Sequence, residues 1–420
     1  MKGTSVILDE NYRMNPVIVH YYKEIIRHWN TLNFIIKKTQ RSLNQNELSN
    51  SYEMALLLYT TYRFIFEKAS IKAIKEEIDL NHKFYSYMNQ LTTFSWSKAL
   101  NGKTEVEKLS IDEAIPTFVI EHLLPVMKID FLKDNISFMN RVNEYKNITI
   151  RINNLQVEKA DFDLKSSIRK TFQKLGISFY QDKHIPIIFH TPIRNKKKIL
   201  QNKWYKNGRL IFQDKASVAV IQSLSPQPNE FIFDMCAAPG IKTSLIAQYS
   251  NNQACIISND FNKARLTQAI NIFSKLYVSN VFLINADGIK FPIRSKNLFD
   301  KILIDAPCTG SGTFSTNPEL KWRQNERFLH QNVVLQEKML KSSIDLLKPS
   351  GILVYSTCSL YPEEGEMQVL KILDNFEPME LPKWFSPSYK VKNQQISGTG
   401  RLFPAIHQTK GFFIGKFKKK

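Results

Sequence analysis

Two cysteines stand directly after two apolar segments, where a thiol could act as a nucleophile. Cys308 follows Ile304-Asp305-Ala306-Pro307, and Cys358 follows Val354-Tyr355-Ser356-Thr357. A thiolate can add to carbon 6 of a cytosine ring, which makes carbon 5 nucleophilic enough to attack a sulfonium methyl group. The adduct must then lose its carbon-5 proton, and a second group nearby can accept it. A redox switch and two unrelated small residues in turns are the alternative interpretations.

Two charged residues could support such a reaction. Asp305 ends the segment before Cys308 and, if it is protonated, can hydrogen-bond to the polarised edge of a pyrimidine. A reactive thiolate needs a lowered pKa, and positive potential from helix N-termini or from Lys242 can supply it.

A turn rich in small residues follows the apolar segment Phe231–Phe233. Its residues are Asp234, Met235, Cys236, Ala237, Ala238, Pro239 and Gly240, followed by Ile241, Lys242 and Thr243. The turn lacks the glycine spacing of a Walker loop or a dinucleotide-binding loop, so phosphate binding is unsupported. S-adenosylmethionine fits better, with Asp234 near its charged amino-acid end and Asp260 near its ribose hydroxyls. For Asp260, a plain helix cap is the alternative.

Alternating strand and helix patterns after about residue 210 place these motifs at one edge of a sheet. Candidate strands are Phe231–Phe233, Ala254–Ser258, Val281–Asn285, Lys301–Ile304 and Ile352–Ser356. Segments with helical periodicity lie between them, which predicts an α/β fold with a mostly parallel sheet covered on both faces. Such sheets bind ligands at the carboxyl ends of their strands, where these cysteines and aspartates stand.

The chain before residue 210 has a different texture. Apolar residues repeat at helical spacing up to about residue 130, which predicts an α-helical domain over residues 1–130. Alternating and apolar segments then predict a small α+β domain over residues 131–210, so the third domain covers residues 211–420. The basic run Arg194–Lys198 in the small domain is either a solvated loop or a contact for RNA phosphates.

Composition restricts the class of protein and its partners. The 420 residues are 43% hydrophobic and 23% charged, which excludes a disordered, collagen-like or coiled-coil chain. The formal net charge of +20 favours a polyanionic partner, with nucleic acid preferred to anionic lipid.

Cysteine usage and hydropathy indicate the compartment. Four cysteines without a CxxC pair argue against a disulfide framework and a cysteine zinc site. Residues 1–10 lack a signal-peptide core, and no window reaches 18 apolar residues. We therefore expect a cytoplasmic protein with no membrane or metal partner, and a monomer by default.

Three motifs together resemble those of a known family. The motifs are Asp234–Gly240, Asp305–Gly312 and Tyr355–Ser359, and they are similar to those of the RNA 5-methylcytosine methyltransferases of the Sun/Fmu/Nop type. The likeness extends to Gln213–Ser217, Pro404–His407 and Gly411–Phe413. It implies a Rossmann-like class I methyltransferase domain that uses S-adenosylmethionine to methylate carbon 5 of cytosine in RNA.

The resemblance also implies roles for individual residues. Cys358 would be the nucleophile and Cys308 the group that assists product release, whereas spacing alone leaves that choice open. Asp305 would contact the target base, and Lys242 matches a motif lysine that belongs to the active site of the family. The cofactor would be bound by Asp234, Cys236, Ala237, Ala238, Pro239, Gly240, Lys242, Asp260, Arg265, Asp287 and Asp305. For Arg265, an ordinary position on a helix surface is the alternative.

The chain also departs from the family pattern. Ile241 stands where the family usually has glycine, and we expect it to alter cofactor affinity without loss of function. Gly365 stands where the family commonly has asparagine, and Lys410 stands where an acidic residue is common. Both lie outside the cysteine pair, so we expect them to change accessory contacts more than catalysis.

The RNA substrate and two other functions stay open. The small domain resembles the RNA-binding domain of the family, and residues 10–130 resemble the NusB-type extension of its bacterial ribosomal-RNA members by helical texture alone. This favours rRNA, with tRNA possible. A non-catalytic RNA-binding or ribosome assembly factor is the main alternative, although retention of both cysteines argues against it. An adenine amino-methyltransferase would carry an Asn/Asp-Pro-Pro-aromatic motif, which Asp305–Cys308 does not match.

Overall fold

The computed structural model describes residues 15–42, 51–78, 82–141, 147–155, 163–293 and 295–420. The chain divides into two compact units. The helical unit comprises Met1–Asn140 and Phe314–Asn325, and the sheet unit comprises Arg141–Thr313 and Glu326–Lys420. The first ten residues, whose composition bears on a signal peptide, lie outside the described residues. The domain boundaries predicted at residues 130 and 210 stay predictions.

The helical unit is built from amphipathic helices, and those between Trp29 and Thr92 share an apolar core. Its described helices are α1 (Pro16–Arg27), α2 (Trp29–Ser42), α3 (Ser51–Ile65), α4 (Ile71–Glu77), α5 (His82–Thr92), α6 (Trp96–Ala99), α7 (Glu105–Asp112), α8 (Thr117–Leu123) and α9 (Ile129–Asn140). Local sequence sets where they begin: Thr104 and Glu107 form a capping box that satisfies free N–H groups at the start of α7. Leu32, Ile36 and Leu58 are buried in the shared core.

The segment Phe314–Asn325 folds with the helical unit although it lies far along the chain. The buried Lys321 donates hydrogen bonds to the carbonyl oxygens of Arg27 and Ala114, both at 3.0 Å, and to Asn140 Oδ1 at 2.6 Å. Burial, and then the charge of Arg27, hold the pKa of Lys321 well below its ordinary value. No local sequence pattern indicates these carbonyl acceptors, so the hydrogen bonds of Lys321 were not predictable from sequence.

A small sheet occupies the first part of the sheet unit. Its elements are β1 (Asn147–Ile152), α10 (Leu164–Lys174), β2 (Tyr180–Gln181), β3 (Ile188–Pro192), α11 (Lys196–Leu200), α12 (Lys203–Lys206) and β4 (Leu210–Phe212). The antiparallel strands lie in the order β2-β3-β1-β4, and Ile168 and Phe172 of α10 join their apolar core. The basic run Arg194–Lys198 is no loop: it forms a 3-10 turn and the start of α11.

The larger sheet confirms the predicted α/β fold. The elements of this part of the sheet unit are α13 (Lys215–Leu224), β5 (Phe231–Asp234), α14 (Ile241–Tyr249), β6 (Cys255–Asn259), α15 (Lys263–Leu276), β7 (Val281–Ile284), β8 (Phe299–Asp305), α16 (Glu326–Leu346), β9 (Leu347–Thr357), α17 (Glu366–Val369), β10 (Phe376–Pro378), β11 (Ser386–Pro387), β12 (Lys390–Val391), β13 (Gln394–Gln395), β14 (Thr399–Leu402), α18 (Pro404–His407) and β15 (Phe412–Lys419). Strands β12 and β13 pair only with each other, in a separate two-stranded sheet of the described structure. The main strand order is β11-β14-β15-β9-β8-β5-β6-β7.

The strands that carry the predicted motifs are parallel neighbours. Strands β5 to β9 pair in parallel, and β15 lies antiparallel beside β9. Apolar clusters cover both faces, so the central strands β5 and β8 are largely buried, whereas the edge strand β7 is partly exposed. In the described part of the chain, no helix is long and apolar enough to cross a bilayer.

Candidate functional site

The two predicted cysteines meet at the carboxyl ends of β8 and β9. The parallel register aligns Asp305 with Ser356, so the loops that follow these strands start side by side. Cys308 Sγ lies 3.1 Å from Cys358 Sγ, and both thiols are free and partly exposed. Two sulfurs at this distance can share a proton, which allows one to act as a nucleophile while the other holds the proton.

Backbone contacts hold these two loops together. The N–H of Gly312 donates to the carbonyl of Cys358 at 3.0 Å, and the N–H of Gly411 donates to the carbonyl of Gly312 at 2.9 Å. A Cβ on Gly312 would stand 2.2 Å from the Gly411 oxygen, so this close approach requires glycine.

Lys242 and Asp305 form an ion pair beside the cysteines. Lys242 Nζ lies 2.6 Å from Asp305 Oδ2, and Ser356 Oγ donates to Asp305 Oδ1 at 2.8 Å. Burial lowers the pKa of Lys242, but attraction to Asp305 outweighs it and raises the pKa overall. With an ammonium and a hydroxyl as donors, the Asp305 carboxyl is arranged as an acceptor, which differs from the protonated donor considered from the sequence.

The pKa values of two thiols, Cys308 and Cys236, are raised for different reasons. The hydrogen bond with Cys358, and then burial, raise the pKa of the Cys308 thiol well above its ordinary value. Burial, and then the neighbouring carboxyls, raise the pKa of Cys236, whose sulfur lies 3.9 Å from Met339 Sδ. Cys236 therefore resembles a buried apolar side chain more than a reactive group.

The turn after β5 surrounds a buried carboxyl. Thr243 Oγ1 donates to Asp234 Oδ2 at 2.7 Å, whereas Asp234 Oδ1 has no hydrogen-bond partner among the described residues. Burial is the main reason that the pKa of Asp234 is raised to about 7, although the Thr243 hydrogen bond opposes the rise. A buried carboxyl oxygen without a donor is suited to receive the ammonium group of a ligand.

The same turn brings its backbone close to helix α15. Gly240 adopts a φ of +98°, and a Cβ there would lie 2.7 Å from the Phe273 ring and 2.9 Å from Ala269 Cβ. Ile241 begins α14, and its carbonyl accepts a hydrogen bond from the buried Arg151 guanidinium at 3.4 Å. The effect of the Ile241 side chain on cofactor affinity stays a prediction.

Asp260, which follows β6, and Arg265, which lies in α15, both form hydrogen bonds with the turn. Asp260 Oδ2 accepts from the N–H of Ala238 at 3.0 Å, and Arg265 donates to the Ala238 carbonyl at 2.6 Å. The cap of α15 is Asn262, so the helix-cap alternative for Asp260 is wrong. Arg265 likewise faces the turn rather than only solvent.

Asp287 follows the third strand of this group. Its Oδ1 accepts from the N–H of Ile289 at 2.9 Å, which fixes the loop after β7. Asn285 in the same loop donates to the carbonyls of Asp260 and Phe261 at 2.7 Å and 2.9 Å. The loops after β6 and β7 are therefore joined, as a nucleoside site at a sheet edge requires.

The residues present fit S-adenosylmethionine. The unpartnered Asp234 oxygen matches a ligand ammonium, the Gly240 turn permits close backbone approach, and the Asp260 carboxylate keeps lone pairs for hydroxyl donors. Within the described ranges, no group of three or more metal-binding side chains occurs.

Sequence reasoning missed a set of buried residues around the cysteine loops. Glu364 accepts hydrogen bonds from Thr309 and Gln336, and Arg401 pairs with Glu366 at 2.6 Å while donating to the Ser359 carbonyl at 3.0 Å. The repeated acidic residues after Tyr361 are a signal that could have been followed, because charge inside an apolar region needs partners.

Comparison with known proteins points to one group of enzymes. A family model described as 16S rRNA methyltransferase RsmB/F matches residues 221–418. The chain is 32% identical over 316 residues to the 28S rRNA (cytosine-C(5))-methyltransferase of Mus musculus, covering 71% of this chain and 38% of the mouse protein. It is 33% identical over 229 residues to the tRNA (cytosine(49)-C(5))-methyltransferase of Pyrococcus abyssi, covering 51% of this chain and 72% of that protein.

The fold comparison agrees. A crystal structure of a methyltransferase homolog protein from Pyrococcus horikoshii superposes with a TM-score of 0.64 at 27% identity, covering 76% of this chain and 100% of that chain. The chain spans half or less of the length of several curated relatives that it matches.

Proposed function

We propose that this chain, which belongs to the family of RNA cytosine-C5 methyltransferases, transfers a methyl group from S-adenosylmethionine to carbon 5 of cytosine in RNA. The observation that carries the proposal is the 3.1 Å separation of the Cys308 and Cys358 sulfurs beside the Lys242–Asp305 ion pair. It brings together a nucleophile, a proton acceptor and a charged pair for the base, as cytosine methylation requires.

The Cys358 thiolate starts the reaction. Its sulfur electron pair forms a bond to carbon 6, and the electrons of the C5–C6 double bond move into the ring. Carbon 5 then forms a bond to the methyl group as the methyl–sulfur bond of the sulfonium breaks, and the sulfur of the departing thioether keeps that electron pair. Cys308 holds the shared proton while Cys358 attacks, and then passes it to water.

The ion pair orients the cytosine. As an acceptor, the Asp305 carboxylate would take a hydrogen bond from the exocyclic amino group of the base. The Lys242 ammonium, a donor only, would contact a ring nitrogen or carbonyl oxygen and stabilise negative charge as it develops. The two groups together would distinguish cytosine from uracil.

Release of the product needs a base. Cys308 would take the carbon-5 proton, the C–H electrons would re-form the C5–C6 double bond, and the C6–S electrons would return to Cys358. The raised pKa of Cys308 makes its thiolate a strong base, which suits this role.

The cofactor residues follow from the turn. S-adenosylmethionine, when bound, supplies the methyl group. Asp234 would hold its ammonium, Asp260 its ribose hydroxyls and Asp287 the region near its adenine. Arg265 would keep the turn in place through the Ala238 carbonyl, from which it is 2.6 Å away.

The RNA class is the least specific part of the proposal. The net charge of +20 favours a phosphate backbone, and the relatives named above act on rRNA and tRNA. The target cytosine must be unstacked, because a stacked base hides carbon 6. We favour rRNA, with tRNA as the other possibility, and a cytoplasmic location.

Methyl transfer from labelled cofactor to total RNA tests the proposal. Wild type should label RNA, Cys358→Ala should be inactive, and Cys308→Ala should accumulate a covalent protein–RNA adduct on denaturing gels. A wild type that binds RNA and cofactor but transfers nothing would instead support a non-catalytic RNA-binding or ribosome assembly factor.

A further inference from the structure

We propose that Glu364 is a positioning residue for product release: its carboxylate fixes the loop that carries Cys308 against the strand end that carries Cys358. The proposal rests on the function proposed above. It assigns a role to a buried acidic residue that touches neither sulfur and that the reaction steps do not use.

Glu364 holds the chain on both sides of Cys308. Its carboxylate accepts from the Thr309 N–H at 2.9 Å and from the Thr309 hydroxyl at 2.5 Å. Gln336 Nε2 donates to Glu364 Oε1 at 3.0 Å and to the Pro307 carbonyl at 2.8 Å. The residues before and after Cys308 are thus tied to one carboxylate and to the amide bound to it.

The same residue reaches the Cys358 strand. The Glu364 carbonyl accepts from the Tyr355 hydroxyl at 2.8 Å and from Thr357 Oγ1 at 3.3 Å. Tyr355 and Thr357 precede Cys358 on β9, and the Ser359 hydroxyl also bonds to the Glu364 carboxylate. One residue therefore sets the spacing of the two cysteine loops.

Its electrostatics differ from those of the neighbouring Glu366. Arg401 neutralises the Glu366 carboxylate with two side-chain contacts of 2.6 Å and 2.7 Å. The hydrogen-bond donors that surround Glu364 in the described structure are hydroxyl, amide and backbone groups, all of them neutral. Burial raises the pKa of Glu364, and these hydrogen bonds oppose the rise.

The unneutralised charge acts on Cys308. After the Cys358 hydrogen bond, burial and the charge of Cys358, the charge of Glu364 contributes to raising the pKa of the Cys308 thiol. A more basic sulfur accepts the carbon-5 proton more readily. Glu364 thus contributes both the position and the basicity that release requires, whereas the attack by Cys358 does not need the basicity.

The test replaces Glu364 with Gln, which keeps the shape and removes the charge. In methylation assays with the full chain and the RNA that the wild type labels, Glu364→Gln should lower kcat about tenfold to 100-fold. The KM for RNA should stay within about twofold, because the ion pair that orients the base is intact. The covalent adduct should accumulate towards the level of Cys308→Ala. The exposed Glu377→Gln is the matched control and should behave as wild type.

Three outcomes would overturn the proposal. The first is a Glu364→Gln variant with wild-type kcat and adduct level. The second is a loss of kcat without adduct, together with a lower denaturation midpoint, which indicates a structural role only. If Glu364→Gln does not fold, the Thr309→Val variant replaces it in the test, because it removes one hydrogen-bond donor to the Glu364 carboxylate. The third outcome that would overturn the proposal is a wild-type level of covalent adduct in Thr309→Val. A wild type that forms neither product nor adduct would show that the proposed function itself has failed.

Discussion

The loops that carry Cys308 and Cys358 lie at the same edge of the sheet as the turn Asp234–Gly240. The buried carboxyl groups of these two regions differ in their hydrogen-bond partners. In the loops, Glu364 accepts from Thr309 and Gln336, and Glu366 is paired with Arg401. In the turn, one oxygen of Asp234 has no hydrogen-bond partner among the described residues. The carboxyl groups are similar, so the difference lies in what the protein supplies around them.

This difference separates two tasks. Under the proposed function, the cysteine loops present two sulfurs at a fixed distance, and hydrogen bonds within the chain satisfy their polar groups. The turn would bind a charged ligand through the remaining oxygen of Asp234, whose pKa burial raises to about 7. Rigidity and ligand affinity thus come from opposite treatments of buried charge.

The largest expected effect on stability comes from removing the partner of a buried carboxylate near the cysteine loops. Arg401→Met should lower the free energy of unfolding by about 3–5 kcal/mol, because it leaves the buried Glu366 carboxylate without its counter-ion and with the Tyr389 N–H, at 2.8 Å, as a remaining donor. The matched control is Lys341→Met, which removes an ion pair of 2.7 Å whose lysine is 63% exposed, and it should cost about 0–1 kcal/mol. Denaturant titration measures both; equal effects would contradict the difference between buried and exposed pairs.

The next largest effect on stability concerns the buried Asp234 carboxyl in the turn. Asp234→Asn should stabilise the ligand-free protein by at most about 4 kcal/mol, the equivalent of three pKa units. Because burial holds the folded pKa near 7, above its unfolded value, the aspartate destabilises the fold increasingly as pH rises through this interval. The gain should be absent below about pH 4, grow up to about pH 7 and then stay constant. Denaturation of both proteins across this pH range measures it.

The same substitution should weaken cofactor binding, because an amide does not attract an ammonium group as a carboxylate does. Calorimetric titration with S-adenosylmethionine at pH 8 checks this. Stabilisation without loss of affinity would mean that the oxygen serves no ligand, and the comparison between the two regions would fail.

The smallest effect tests the close approach at the turn. Gly240→Ala should cost about 1–3 kcal/mol, because the residue has a φ of +98° and its Cβ would lie 2.7 Å from the Phe273 ring. Gly102→Ala is the control, since Gly102 has a φ of +75° but no atom within 4 Å of its Cβ. The difference between the two changes in unfolding free energy measures the contribution of the close contact with Phe273. Equal changes would show that this contact does not determine the structure of the turn.

Much of this edge was readable from local sequence. Strand periodicity and the small residues after Phe233 predicted where β5 ends, and the same reasoning placed Cys308 and Cys358 after β8 and β9. Such patterns work because strand and turn preferences depend on neighbours within a few residues. Of the two interpretations of the run Arg194–Lys198, the loop is wrong because the run forms a helical turn, and the contact for RNA phosphates stays a prediction.

The contacts of the buried carboxyls were not readable in this way. The sequence by itself determined the parallel sheet, the order of its motifs and the residue types at each strand end, because those follow from periodicity and turn chemistry. Only the tertiary structure decided that Glu364 reaches Thr309, that Asp234 keeps an oxygen without a hydrogen-bond partner in the described part of the chain, and that Lys321 folds with the helical unit. Such contacts join residues far apart in the chain, and they depend on which strands become neighbours and on how each buried charge finds its donors.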